Sequence, residues 1–243
     1  MREGIIPNIF NATNMYITSD NHFFHGRIIK YCDRNYNWES DDDILRMNED
    51  MLKEFDKLPD TPDTVVWNLG DLAFSRLITT NPDAFSLLKD IVSRMKGKHR
   101  TLCYVIGNHD KDVFRMVRKY THSKNICDFF EKLGFDYVYN KPLLFDENII
   151  LSHEPVYMVP DSNFVNIHGH THNTNVDEKY FKVDMENYEM NLKAARKNGI
   201  TELPVDLEKW PTKNIDTSKY INVCLDANEM KILDFKKILK SLN

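Results

Sequence analysis

Apolar and polar positions follow two rhythms along these 243 residues. In the first half, short apolar or β-branched runs alternate with stretches whose apolar residues recur at helical spacing. Met15-Tyr16-Ile17-Thr18 reads as a buried strand, and residues 25–33 as a short helix or turn. Residues 41–57 read as a helix. Asp41 to Asp43 offer an N-cap and an acidic first turn, and Ile44, Leu45, Met47, Met51, Leu52 and Phe55 fall on one face. Pro59 and Pro62 close that segment. Thr64 to Leu69 is a second strand, and Asn81-Pro82 starts a helix through Met95 that Gly97 stops. Leu102 to Ile106 is a third strand, followed by a helix over 111–119.

The second half is strand-rich. Phe135 to Tyr139, Leu143-Leu144-Phe145, Ile149-Ile150-Leu151 and Val165-Asn166-Ile167 are short strands with tight connections. Ile221 to Leu225 and Lys231 to Phe235 read as a closing hairpin around Ala227-Asn228. Strand–helix alternation followed by strands places the chain in the α/β class. Residues 173–219 break the rhythm, with a helix near 184–197, a stop at Gly199 and prolines at 204 and 211. A segment of that length beside a site is a lid or substrate wall. The expectation is a single domain over 1–243 that carries this insert.

Composition narrows the function. Hydrophobic residues make up 42% and charged residues 28%, as in ordinary globular chains. The net charge of −5 provides no global basic field, so long nucleic acid is disfavoured as a partner, although a local basic groove stays open. Cys32, Cys103, Cys127 and Cys224 form no C-x-x-C pair, which reads as free thiols in a reducing compartment. Met1 to Asn14 lacks the apolar stretch of a signal peptide. No run approaches the ~20 apolar residues of a membrane span, so a cytoplasmic location is expected.

The chemistry sits at the strand ends. Asp20-Asn21-His22, Gly70-Asp71, Gly107-Asn108-His109-Asp110, His153 and Gly169-His170-Thr171-His172 each follow a short apolar run. Alone, an Asp-x-His is a turn or cap, and Gly-Asp is a common turn pair. Together, at the edge where parallel strands end, they pool carboxylate oxygens, an amide oxygen and imidazole nitrogens. A carboxylate such as Asp71 can bridge two cations, which a histidine cannot. Hard oxygen plus imidazole suits Mn, Fe, Zn, Co or Ni better than Ca. Two such cations ~3.5–4 Å apart lower the pKa of a bridging water to give hydroxide, polarise a phosphoryl group and align the nucleophile. His109, next to Asn108, is left over to protonate the leaving group as general acid.

These blocks match the pattern D-x-H, G-D, G-N-H-[DE], H and G-H-x-H, so the chain resembles the calcineurin-like metallophosphoesterase superfamily over about residues 15–172. Thr18 to His25, with Ile28-Ile29-Lys30-Tyr31-Cys32-Asp33-Arg34, is similar to a bacterial and phage branch carrying D-x-H-F-x-H and I-I-x-Y-C-x-R. Asn68 to Phe74 resembles that branch too, and Ile221-Asn222-Val223 the closing strand. The resemblance implies a four-layer α/β/β/α sandwich with two divalent metal ions at its edge, Mn being the expected activator in vitro. By position, Asp20, His22 and His172 would hold the first metal, Asn108, His153 and His170 the second, and Asp71 would bridge them. His109 would be the acid, and Asp110 would orient it or fix the loop. The protein-phosphatase branch has G-D-x-x-D-R; the run Gly70 to Arg76 here lacks the second Asp, which argues against that activity.

His25 and Arg76 are candidate contacts to the substrate phosphate, each with an ordinary alternative in packing or solvation. His168 reads as structural and Trp67 as core. Tyr31, Tyr36 and Trp38 read as a roof over the core rather than a stacking platform, and Lys96 to Arg100 as a solvated turn. The leading function is a metal-dependent phosphodiesterase or phosphatase acting on small or nucleotide-like phosphate esters. A nuclease on DNA or RNA is the second reading. A non-catalytic metal-binding scaffold of the same fold is the third.

Overall fold

The computed structural model describes residues 12–74, 83–158, 162–177, 180–181 and 215–242. Among the described residues nine strands form two sheets. They are β1 (Asn14–Thr18), β2 (Thr64–Asn68), β3 (Thr101–Val105), β4 (Tyr137–Tyr139), β5 (Leu143–Asp146), β6 (Ile149–Ser152), β7 (Val165–His168), β8 (Tyr220–Asn222) and β9 (Leu233–Asp234). The first sheet has the order β4-β3-β2-β1-β9 and the second β5-β6-β7-β8. β1 to β4 are parallel to their neighbours, as are β6, β7 and β8; β9 runs antiparallel to β1, and β5 to β6.

Period-two alternation builds the layers. Met15, Ile17, Val65, Trp67, Cys103 and Val105 face the second sheet, where they meet Phe145, Leu151 and Ile167. Val66, Leu102 and Tyr104 point the other way, into a core shared with helices. Those helices are α1 (Gly26–Tyr31), α2 (Asp41–Asp56), α3 (Ala84–Lys96), α4 (Asn108–Val117) and α5 (Ile126–Leu133). In α2, Ile44, Met47, Met51, Leu52 and Phe55 are buried as their spacing predicts, whereas Leu45 is exposed. Over the outer face of the second sheet, Phe181 packs edge to face against Tyr157 and tilted against Tyr220. This is the α/β sandwich that the resemblance implies.

Several elements differ from the sequence reading. The helix after β3 starts at Asn108, not at 111, because the Asp110 carboxylate accepts from the Gly107 N–H at 2.7 Å and caps it. α5 was not foreseen, although Asn125 caps its start, Gly134 ends it, and Phe129, Phe130 and Leu133 bury one face. Each of those side chains contributes roughly 1.5–3 kcal/mol by burial. There is no closing hairpin: β8 joins the second sheet and β9 the first, separated by a 3-10 turn at Asp226–Asn228. A last helix, α6 (Phe235–Ser241), then follows, capped by Asp234. Arg100 is buried rather than solvated, donating to the carbonyls of Leu58, Pro59 and Met95. Of the expected roof, Tyr36 packs against the core, whereas Tyr31 and Trp38 are exposed. Arg76, and most of the insert expected at 173–219, lie outside the described residues.

Candidate metal centre

Each polar motif lies just past the C-terminal end of a parallel strand: Asp20 after β1, Asp71 after β2, Asn108 after β3, His153 after β6, and His170 and His172 after β7. Backbone hydrogen bonds stitch these loops together. The N–H of Asp20 donates to Gly70 O and that of His22 to Asp71 O, both at 3.0 Å, and that of Gly169 donates to His153 O at 2.9 Å. A bridge between Ser19 and Cys224 joins the two sheets at this edge.

Both carboxylates are divided in function between their oxygens. Asp20 Oδ2 accepts from the Ser19 hydroxyl at 2.6 Å, the His170 N–H at 2.8 Å and the Cys224 thiol at 3.1 Å. Asp20 Oδ1 is buried and has no hydrogen-bond partner. It faces His22 Nε2 and His172 Nε2, each at 3.7 Å. Asp71 repeats the arrangement. Its Oδ1 accepts from the His109 N–H at 2.9 Å, and its Oδ2 faces His22 Nε2 at 3.7 Å and His153 Nε2 at 3.5 Å. On the far side, Asn108 Oδ1 lies 2.8 Å from His153 Nε2 and 2.9 Å from His170 Nδ1.

The rings are oriented by their second nitrogens. His153 Nδ1–H donates to Leu69 O at 2.8 Å, and His172 Nδ1–H to Asp226 Oδ2 at 2.7 Å, which turns each Nε2 toward the carboxylates. Asp226 is itself gripped by Arg34, whose Nε and Nη2 donate at 2.6 and 3.0 Å. The same guanidinium donates to the carbonyls of Asp20 and Asn21 at 3.0 and 3.1 Å. Arg34 and Asp226 brace the cluster, a role that the motifs did not reveal. Arg34 falls in the quoted I-I-x-Y-C-x-R segment, but Asp226 carries no local signal beyond following β8.

Protonation follows from burial and charge. Burial holds the His22 imidazole down at about 4, against the pull of Asp20, so the ring is neutral and one of its nitrogens has a free lone pair. Burial also pushes Asp71 well above the usual carboxylate range, with Asp110 and Asp20 adding to the rise and His153 opposing it. Burial would lower His172, but the hydrogen bonds to Asp226 and Cys32 and the Asp20 charge raise it to about 10. His109 and His170 are both lowered, chiefly by burial.

This donor set fits divalent cations. A ligand at ~2.0–2.2 Å from a metal stands about 3–3.5 Å from its neighbours in the shell, close to the spacings here. Asp20 Oδ1 and both nitrogens of His22 are buried without partners, and a coordinated ion removes that cost for the oxygen and for the one nitrogen with a lone pair. Two groups of donors come within coordinating reach of one another: Asp20, His22 and His172, and Asp20, Asp71 and His153. A third group, Cys32, His172 and Asp226, shares His172, but its carboxylate is already paired with Arg34.

Two glycines show why the motifs contain them. A Cβ on Gly107 would stand 2.1 Å from Asp71 Oδ1, and one on Gly169 would stand 2.0 Å from Ser19 Oγ and 2.5 Å from Asp20 Oδ2. The backbone is packed directly against the carboxylates.

A cleft of about 420 Å³ opens beside the cluster, lined by His22, His25, Tyr31, Phe74, His109 and His172. The His109 ring lies 5.4 Å from that of His22 and 4.5 Å from Phe74, and its Nδ1 has no hydrogen-bond partner. His25 stands 5.3 Å from His22. Its Nδ1 is likewise unpartnered, and burial lowers the ring to about 3. Asp110 is not in the cleft. Its oxygens accept from the N–H groups of Gly107, Asp71 and Leu72 and from the Tyr104 hydroxyl, so it braces the loops and does not bond the His109 ring. His168 is buried and bonds the Gly169 carbonyl. A larger hollow of about 660 Å³, between Asp33 and Arg46, contains none of the clustered donors.

Three comparisons relate the chain to known proteins. The model of the family described as calcineurin-like phosphoesterase matches residues 13–233. An uncharacterized protein of Methanocaldococcus jannaschii is 25% identical over 169 residues, 69% of this chain and 74% of its own length. A solved structure of a protein of unknown function from Aquifex aeolicus covers 94% of this chain and 98% of its own, at 18% identity and a TM-score of 0.45.

Proposed function

Since the chain belongs to the calcineurin-like phosphoesterase family, a family of phosphoester hydrolases, we propose that it hydrolyses phosphate mono- or diesters at a centre of two divalent cations. One observation carries the reading. Two buried carboxylates are each tethered through one oxygen, and their free oxygens meet imidazole nitrogens 3.5–3.7 Å away. Asp20, His22 and His172 would hold one cation, Asn108, His153 and His170 the other, with Asp71 between them. Bound there, the cations would supply charge neutralisation of the phosphoryl group and a water acidic enough to attack near neutral pH.

The chain's own residues supply the rest. His109 faces the cleft beside His22, where it would hold a proton for the departing oxygen; such catalysis contributes ~10²–10⁴ in rate. His25, at the same wall, would contact a phosphoryl oxygen. Asp110 and Tyr104 keep the Asp71 and His109 loops in register. Mn is the proposed activator. A reducing, cytoplasmic setting is proposed from the four unpaired cysteines; among the described residues no helix is long and apolar enough to cross a membrane.

The test combines metal analysis with turnover. Metal per chain is measured, then aryl phosphate mono- and diesters are offered with added Mn. His109→Ala should keep its metal and slow esters with poor leaving groups most. Asp71→Asn should lose metal and activity together. No hydrolysis of any ester by a metal-loaded chain would overturn the proposal.

A further inference from the structure

We infer that the substrate is a phosphodiester whose non-leaving arm carries a second anionic group, seated in a separate hollow rimmed by Lys111 and Lys141. This deepens the function proposed above and rests on it. A second hollow, of about 280 Å³, reaches the donor cluster at Asn108 and His153, whereas the 420 Å³ cleft reaches it at His22 and His172. The two spaces therefore meet the centre through different donors. They share none of their lining residues. A monoester has one organic arm and fills one of them. A diester has two.

His109 assigns the arms. It lines the first cleft and not the second, so the departing oxygen belongs to the arm in the first cleft. The retained arm then lies in the second. Its wall of Ile106, Pro142 and Pro155 accepts a ring or sugar carbon face, and Asn140 adds an amide. Lys111 and Lys141 are exposed on this lining, and among the described residues neither is in an ion pair. The one carboxylate on the lining is Glu154, which leaves the hollow with a single net positive charge. In a chain of net charge −5, unpaired ammonium groups next to a phosphoryl centre favour an additional anion on the substrate.

A matched pair of chromogenic substrates tests the inference. The 4-nitrophenyl diester of thymidine 5′-phosphate has an uncharged distal end, and the same diester with a 3′-phosphate carries the extra anion. The 3′-phosphorylated diester should have the lower KM at low ionic strength. The double variant Lys111→Ala/Lys141→Ala should raise that KM about three- to tenfold, as expected for two exposed ion pairs, and leave the uncharged diester unchanged. Equilibrium binding of thymidine 3′,5′-bisphosphate should weaken by the same factor, a readout free of turnover. Equal KM values for the two diesters, a difference that survives in the double variant, or hydrolysis confined to monoesters would overturn the inference while leaving the phosphoesterase reading intact. Failure to hydrolyse any ester would instead remove the reading it stands on.

Discussion

Arg34 makes the most demanding test of how the centre is built. Its guanidinium and the Asp226 carboxylate are buried, with side-chain exposures of 1% and 0%. The fork spends two donors on Asp226, one on Asp20 O and one on Asn21 O. Arg34→Met leaves the Asp226 charge with His172 alone and strands the two carbonyls. Breaking a buried pair from one side costs about 3–5 kcal/mol. For a chain of this size, about 4 kcal/mol lowers the thermal midpoint by roughly 8–16 °C. Asp226→Asn keeps the shape but loses the charge that both Arg34 and His172 use. It should cost about 1–3 kcal/mol in the native background. In the Arg34→Met background, the same change removes a poorly paired charge, so it should cost at least about 1.5 kcal/mol less. The assay is urea unfolding with a chelator present, so that bound metal does not contribute. Metal titration of each single variant should show affinity weakened about 10–100-fold, because Asp226 fixes the His172 ring. Additive costs across the cycle would refute the reasoning, as would native metal affinity in either single variant.

The remaining expectations are simpler to read. Gly107→Ala places a Cβ 2.1 Å from Asp71 Oδ1 and 2.6 Å from its backbone N, so metal content should fall along with about 1–3 kcal/mol of stability; a fully loaded, equally stable variant would count against close packing as the role of that glycine. His22→Asn removes a ring whose nitrogens are both unpartnered and puts a tolerant residue at φ 52°. It should cost the metal-free protein under about 1 kcal/mol yet abolish loading, and a large loss of metal-free stability would show that His22 is a packing residue. Added Mn should stabilise the fold by about 2.7 kcal/mol at a hundredfold excess over Kd and so raise the unfolding midpoint. A midpoint insensitive to Mn, Zn and Co would argue that the donors hold no cation.

The centre was legible in the sequence for a physical reason. Its donors follow strand ends, so each leaves a short apolar run with a polar block behind it. Asp20, Asp71 and Asn108 could be read in this way. The pairing of Arg34 with Asp226 could not, since it spans 192 residues. The hairpin expectation failed on topology. Two apolar runs with a turn between them look alike whether they pair with each other or with strands of different sheets; here β8 pairs with β7 and β9 with β1. The helix Ile126–Leu133 was legible in hindsight, from Asn125, Gly134 and the Ile126, Phe129, Phe130, Leu133 spacing. The solvated reading of Arg100 overlooked that one planar fork can satisfy three buried carbonyls.

Backbone conformation explains why the donors need so much support. Five of the seven, Asp20, His22, Asp71, His170 and His172, have φ between 47° and 69°. Left-handed geometry costs a non-glycine residue roughly 1–2 kcal/mol, somewhat less for aspartate. Glycine would relieve the strain, but glycine has no donor atom. The chain instead places glycine next to the donors, at Gly70, Gly107 and Gly169, where the backbone must pass against a carboxylate or ring. It then holds the strained loops by tethers that need no metal: Asp20 Oδ2 takes three hydrogen bonds, Asp71 Oδ1 takes the His109 N–H, and Asp110 braces three further N–H groups. The free oxygens are therefore aimed by the fold before any ion arrives. Binding energy that would otherwise be used to order the loops would then be left to hold a cation.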